Sequence, residues 1–216
     1  MTPVLFRCLT VAFLFFFLSS AHARSPLEDF RRFDQDPSLR SQLEVIVHAA
    51  VRKAFGEKAS LPEGLSPSFR TSLYPIFVTA KKGEEVRGCM GSLHPRQASL
   101  SEEIVYNLRL AFTRDLRHRP ILPDEVDGME IFLTAVGDPI PVKGWEEIVP
   151  VRDGVLFRSG EKEAVVLPGE AKTLRYLKAF ARAKAGAKKE EAYQLFKLPT
   201  ATVSVKLRPD VFSKER

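Results

Sequence analysis

The spacing of apolar residues predicts the helices of this chain. In several segments apolar side chains recur every three or four residues, which places them on one face of an α-helix. These segments run from Pro37 or Ser38 to a C-cap at Gly56, from Ser99 to near Asp115, from Thr173 to Ala185 with Gly186 as the cap, and, for a shorter fourth helix, from Lys189 to Leu195. Ser99 and Glu102 form a capping-box pattern, and glycine is a common residue just after a helix.

Segments rich in β-branched and aromatic residues predict the strands. They are Ser72–Lys82, Val86–Ser92, Met129–Val136, Gly154–Arg158, Ala164–Leu167 and Thr200–Leu207. Turn residues at Lys81–Glu84 and at Ser159–Gly160 predict two hairpins. Because the strands come in hairpins with helices between them, we expect an α+β fold with a largely antiparallel sheet and flanking helices.

The first 36 residues differ from the rest. Arg7 precedes an apolar run from Cys8 to Leu18, and Ala21–Ala23 has the small-residue pattern of a cleavage site. This layout is typical of a signal peptide. We therefore predict a signal peptide over 1–23 and export to the periplasm or the medium, with an uncleaved membrane anchor as the alternative. Residues 24–36 are charged and lack clean periodicity, so they are predicted as a tether before a domain over 37–210.

Composition and charge exclude several classes of protein. The chain has 216 residues, 44% hydrophobic residues and a net charge of +6, a composition typical of a folded domain and not of a disordered chain. It contains neither a phosphate-binding glycine motif nor a metal-ligand spacing, so no cofactor or metal is predicted. Nor does a basic stripe interleave with aromatics, so we expect no nucleic acid partner. Signal cleavage would remove Arg7 and Cys8, leaving a net charge of +5 and the single thiol of Cys89.

The most distinctive stretch is Arg87-Gly88-Cys89-Met90-Gly91-Ser92, in the second predicted strand. Two glycines beside a cysteine allow another backbone or a ligand to approach closely. A neighbouring Arg87 could also favour the thiolate of Cys89. The residues alone leave a second interpretation open, in which Cys89 is a small buried thiol in a kinked strand.

This stretch resembles the R-G-C-I-G-[ST] signature of the AMMECR-type domain family, named for the AMME syndrome critical region. Further similarities follow in the same order along residues 40–207. They are Phe77-Val78-Thr79, the segment Asp115–Pro120 (DLRHRP), Val166-Leu167-Pro168 and Lys184-Ala185-Gly186. The chain departs from the family pattern at His118, where the family has an aromatic residue, and at Gly169-Glu170.

The resemblance implies a domain of two unequal subdomains around an antiparallel sheet. It implies no reaction, since the family has no established biochemical activity. Family members are associated with Memo-type proteins, which resemble non-haem iron dioxygenases, and with radical SAM proteins. A Memo-type or radical SAM partner is therefore an expectation for this chain.

Two functional hypotheses follow for the RGCMGS strand and the DLRHRP segment. In the first, they form the walls of a groove that binds a small acidic ligand, a peptide or a protein partner. Its binding residues would be Arg87, Gly88, Gly91, Asp115, Arg117 and His118. Arg114 and Arg119 would add positive charge.

In the second hypothesis, Cys89 is the nucleophile of an enzyme. His94 or His118 would be its base, and Asp115 would orient the histidine. A purely structural alternative is that Asp115 and Arg117 form an ion pair at the end of a helix.

Overall fold

The structure, a computed structural model, describes residues 26–71, 75–209 and 212, so the predicted signal peptide lies outside it. The α-helices in this part are α1 (Pro26–Gln35), α2 (Pro37–Ala54), α3 (Pro67–Arg70), α4 (Leu100–Thr113) and α5 (Leu174–Ala185). Two 3₁₀ turns cover Pro123–Glu125 and Trp145–Glu147. Across the described ranges, no helix has both the length and the apolar content needed to cross a membrane.

Eight strands in the described ranges form two antiparallel sheets. They are β1 (Ile76–Lys82), β2 (Glu85–Gly91), β3 (Glu130–Val136), β4 (Ile140–Pro141), β5 (Gly154–Ser159), β6 (Lys162–Val166), β7 (Gln194–Leu198) and β8 (Thr200–Lys206). The first sheet has the order β2-β1-β3-β8 and the second the order β4-β7-β5-β6. The predicted α+β class, its antiparallel pairing and both hairpins are confirmed.

Each sheet buries one face under helices. Helices α1, α2 and α4 cover the face of the first sheet that carries Val78, Leu133 and Val203. Helix α5 covers the second sheet through Leu177 and Ala181. Strand side chains alternate between the two faces of a sheet. The residues that flank Val78, Leu133 and Val203 along their strands therefore point to the opposite face of the first sheet, away from the helices.

A third apolar cluster joins the two sheets. Phe77 and Cys89, on the helix-free face of the first sheet, pack with Leu156 and Leu198 of the second. This cluster places Cys89 at the junction of the two halves of the molecule. The hairpin of β1 and β2 contains a bulge next to Cys89. Ala80 pairs with Gly88 while Lys81 pairs with Val86, which leaves Arg87 as the extra residue.

The tether predicted over residues 24–36 is wrong for Pro26–Gln35, which is helix α1. Phe30 and Phe33 are completely buried, and the Phe33 ring stacks on Phe69 with their centroids 4.6 Å apart. The apolar residues of α1 recur every three positions among many charges, which hid the pattern. The adjoining Asp36 caps α2 by accepting the Ser38 amide at 2.9 Å.

The short helix predicted over Lys189–Leu195 is also wrong. Lys189 and Glu190 form a turn, and only Gln194 and Leu195 of the segment belong to β7, which pairs with β4 and with β5 in the second sheet. A short segment with three apolar residues among polar ones fits a helix or a strand equally well, and long-range pairing decides between them.

Candidate functional site

The RGCMGS strand and the DLRHRP segment meet at the backbone of Cys89. The Cys89 amide donates to Asp115 Oδ2 at 2.8 Å, and Arg117 Nη2 donates to the Cys89 carbonyl at 3.0 Å. Arg117 also holds Asp115 through two side-chain hydrogen bonds of 2.7 and 2.9 Å. The ion pair predicted as a structural alternative is therefore present, and it joins the two sequence motifs.

The ion pair ties down the outer edge of β2. β2 is an edge strand, whose outward amides and carbonyls have no strand partner. Burial alone would raise the pKa of Asp115. Hydrogen bonds from Arg117 and from the Cys89 amide outweigh burial and lower the pKa to about 2. Asp115 is thus a firmly ionised carboxylate.

The thiol of Cys89 is in an environment that favours its protonated form. Only 7% of the residue is exposed, and the Thr79 hydroxyl donates to Sγ at 3.2 Å. Burial, followed by the charge of Glu170, raises the pKa of the thiol above its ordinary value. The hydrogen bond from Thr79 and the charges of Lys184 and Arg117 oppose the rise without cancelling it.

Arg87 turns away from the thiol. Its Nη1 donates to Glu125 Oε1 at 2.6 Å, and the side chain is 8% exposed. The same carboxylate oxygen accepts Arg119 Nη2 at 3.0 Å. Arg87 therefore ties β2 to the segment after α4. The cations that lower the pKa of Cys89 are instead Lys184 and Arg117.

The two glycines of the motif pack against the protein's own atoms. A Cβ on Gly88 would overlap the Ala111 carbonyl oxygen, so the missing side chain lets α4 lie directly on β2. A Cβ on Gly91 would come within 2.5 Å of the Phe77 ring and 2.6 Å of the Ile76 carbonyl oxygen. The sequence predicted that another backbone or a ligand comes close to these two glycines. At the positions their side chains would occupy, the close neighbours are the protein's own backbone and core.

A cleft of about 450 Å³ opens between β2 and β6, the facing edge strands of the two sheets. Its walls are Phe77, Cys89, Met90, Gly91, Ser92, Leu93, Asp115, Arg117, Glu163, Ala164, Val165 and Lys184. Cys89, Gly91, Asp115 and Arg117 of the predicted site thus lie on one cleft. Arg87, Gly88 and His118 are not part of its lining, and His94 is exposed outside it.

Two cations face this cleft and share one carboxylate. Arg117 Nη1 lies 3.8 Å from Glu170 Oε1, and Lys184 Nζ lies 3.3 Å from Glu170 Oε2. The side chains of Arg117 and Lys184 are 40% and 28% exposed. From the sequence, Lys184 stood out only through the Lys-Ala-Gly similarity, and Glu170 only as a departure from the family pattern.

Comparisons with known proteins identify the family of this chain. The AMMECR1 family profile matches residues 44–202. A Thermotoga maritima protein is 34% identical over 93 residues, which cover 43% of this chain and 53% of that protein. A Clostridium acetobutylicum protein is 28% identical over 108 residues, 50% of this chain and 23% of its own length. The chain thus spans about half of the first relative and about a quarter of the second.

A solved structure shows the same fold. The crystal structure of an uncharacterised protein from Pyrococcus horikoshii matches with a TM-score of 0.62 at 18% sequence identity. The match covers 78% of this chain and 97% of that one. Since the family profile extends over most of the sequence, from residue 44 to residue 202, this chain belongs to the AMMECR1 family, whose biochemical function is not established.

Proposed function

We propose that the protein is a binding or accessory module whose cleft between β2 and β6 takes an acidic group. The group would belong to a small ligand, a peptide or a protein partner. One observation carries the proposal: Arg117 and Lys184 both face the cleft and share the single carboxylate of Glu170. An incoming carboxylate would accept a hydrogen bond from Nη1 of Arg117, which Asp115 leaves free, and would give Lys184 a second carboxylate.

Arg117 is held in position before any ligand arrives. Asp115 and the Cys89 carbonyl fix its Nε and Nη2, while Nη1 stays 3.8 Å from Glu170, too far for a hydrogen bond. A guanidinium fixed in this way loses little freedom when it binds, which favours affinity. Phe77, Leu93 and Val165 add apolar wall, and a low local dielectric strengthens charged contacts.

Calorimetry with succinate as the probe tests this proposal. We expect succinate to bind the wild-type protein and to bind Lys184→Gln about tenfold more weakly, because one charged contact is lost. Lys178→Gln, an exposed position on the same helix, is the matched control and should keep the wild-type affinity. Equal affinities of Lys184→Gln and the control for succinate would show that the cleft does not bind the acidic group.

Cysteine-dependent catalysis is the second candidate, because Cys89 lines the same cleft as Arg117 and Lys184. The raised pKa of its thiol argues for the binding function instead, since a nucleophile needs the thiolate. If the protein is an enzyme, a Memo-type or radical SAM partner would supply chemistry that this chain lacks. Turnover of a carbonyl or thioester substrate panel that disappears in Cys89→Ser would establish the enzyme.

Export of the protein is a further part of the proposal. It is supported by the apolar run Cys8–Leu18 and by the Ala21–Ala23 pattern. Intact mass measurement of protein recovered from the periplasm or medium should give a chain that begins at Arg24. A full-length chain recovered in the membrane fraction would instead support the uncleaved anchor.

A further inference from the structure

We propose that the acidic group is the terminal carboxylate of an extended peptide, which binds by adding a strand to the free edge of β2 inside the cleft. This inference rests on the proposed function and specifies its ligand. Four features of the described residues lead to it: the way the edge is occupied at Cys89, the backbone at Gly91, the facing edge of β6, and the two cations Arg117 and Lys184.

Asp115 and Arg117 occupy the edge at Cys89 as a neighbouring strand would. The Asp115 carboxylate accepts the Cys89 amide, as a strand carbonyl does, and Arg117 donates to the Cys89 carbonyl, as a strand amide does. The ion pair therefore imitates one residue of an added strand. It ends there, and the edge continues toward Gly91.

Gly91 presents its backbone to the same side. In an antiparallel pair, residues with both backbone groups turned outward alternate with residues bonded to the partner strand. Cys89 faces Thr79 across the hairpin and turns its amide and carbonyl outward, so Gly91, opposite Phe77, does the same two residues later. Gly91 and the following Ser92 and Leu93 line the cleft. An edge amide and carbonyl are thus available there to a ligand backbone.

The opposite wall suits an extended chain. β6 is the edge strand of the second sheet, and its residues 163–165 line the cleft across from β2. Phe77, Leu93 and Val165 supply apolar surface for a side chain of the peptide. A volume of about 450 Å³ lies in the range of ligand pockets, roughly 300–1,000 Å³.

Two cations, each already paired with a carboxylate, lie where the added strand would have to end. The ion pair blocks the edge at Cys89, so a peptide running along Gly91 stops beside Arg117 and Lys184. A chain that stops there has a terminal carboxylate to offer, and both cations can bind it. Main-chain hydrogen bonds then supply affinity while the carboxylate fixes the position of the peptide, as in other peptides bound at a sheet edge.

Selection from a library of random hexapeptides with free carboxyl ends tests the proposal on the full chain. We expect peptides to be enriched on wild-type protein and on Lys178→Gln but not on Lys184→Gln. A selected peptide, made synthetically, should bind at least tenfold more weakly once its terminal carboxylate is amidated. Methylation of its backbone amides one at a time should weaken binding at every second position, because alternate amides of a strand face its neighbour.

Several outcomes would overturn this inference. They are a selection that enriches no peptide beyond the Lys184→Gln background, unchanged binding after amidation, and a methylation scan without alternation. Succinate binding separates the two proposals. If succinate binds through Lys184 while no peptide is selected, the cleft takes small acids and only the peptide is wrong; if neither binds, both proposals fail.

Discussion

Cys89 owes its chemistry to burial between two sheets. The Thr79 hydroxyl donates to its Sγ, and burial raises its thiol pKa. We expect iodoacetamide to alkylate the native protein slowly at neutral pH and faster only above the ordinary thiol pKa of 9.0. Unfolding in guanidinium should restore the rate of a free thiol at every pH. Rapid alkylation of the folded protein at neutral pH would instead mark an activated thiolate and favour the enzyme.

Asp115 makes a contribution to stability that depends on pH. Its pKa falls from the ordinary 3.8 to about 2 in the folded state, so the ionised carboxylate stabilises the fold fully above pH 3.8 and loses this effect as pH falls toward about 2. Asp115→Asn should cost about 2 kcal/mol at neutral pH and little near pH 2. Guanidinium unfolding at both pH values measures the difference.

The exposed Asp124→Asn is the control for Asp115→Asn and should change stability at neither pH. A cost of Asp115→Asn that is the same at neutral and acid pH would contradict the role of its charge. Such a result would indicate that the substitution acts through side-chain shape or hydrogen-bond geometry and not through charge.

At the level of structural elements, α4 lies directly against β2 at Gly88. A methyl group there would overlap the Ala111 carbonyl oxygen, which belongs to the helix backbone and cannot move aside cheaply. We expect Gly88→Ala to destabilise the protein by about 3 kcal/mol, the upper range for overpacking. Gly144→Ala is the matched control, because its new methyl meets only the end of the flexible Glu146 side chain. Thermal unfolding measures the stability of both variants. Equal stabilities would show that α4 can move to make room for the methyl group.

Helix α1 is expected to be an integral part of the fold. Phe33 is completely buried and stacks on Phe69, so Phe33→Ala should cost about 3–5 kcal/mol in free energy of unfolding. Arg31→Ala on the exposed side of α1 should cost almost nothing. Chemical unfolding compares the two. Equal stabilities would restore the tether interpretation of this segment.

Elements with strong local signals were predictable, and those stabilised by distant partners were not. Ser99 and Thr173 do cap α4 and α5, and the turns at Gly83 and Gly160 do close the hairpins. In contrast, β7 exists because β4 and β5 pair with it. The sequence of α1 carries only three apolar residues among charges, so its burial depends on the core that it meets.

For the molecule as a whole, the candidate site arises from the meeting of two sheets. The family signature led to Cys89, Gly91, Asp115 and Arg117, which lie on the cleft. Lys184 reaches it from α5 of the other half, and no local pattern reveals a contact made by long-range packing. Arg87 belongs to the same hexapeptide, yet the bulge turns it to Glu125, which a sequence read as a regular strand does not show.

We propose that this protein binds acidic groups in the cleft between β2 and β6. Amide chemical-shift mapping of the complete chain during a succinate titration tests it most directly. The largest changes should fall on residues 91–93, on 163–165 and around Arg117 and Lys184, the walls of the cleft. Changes concentrated elsewhere, for instance on residues 193–196 beside β4, or no changes at all, would contradict it.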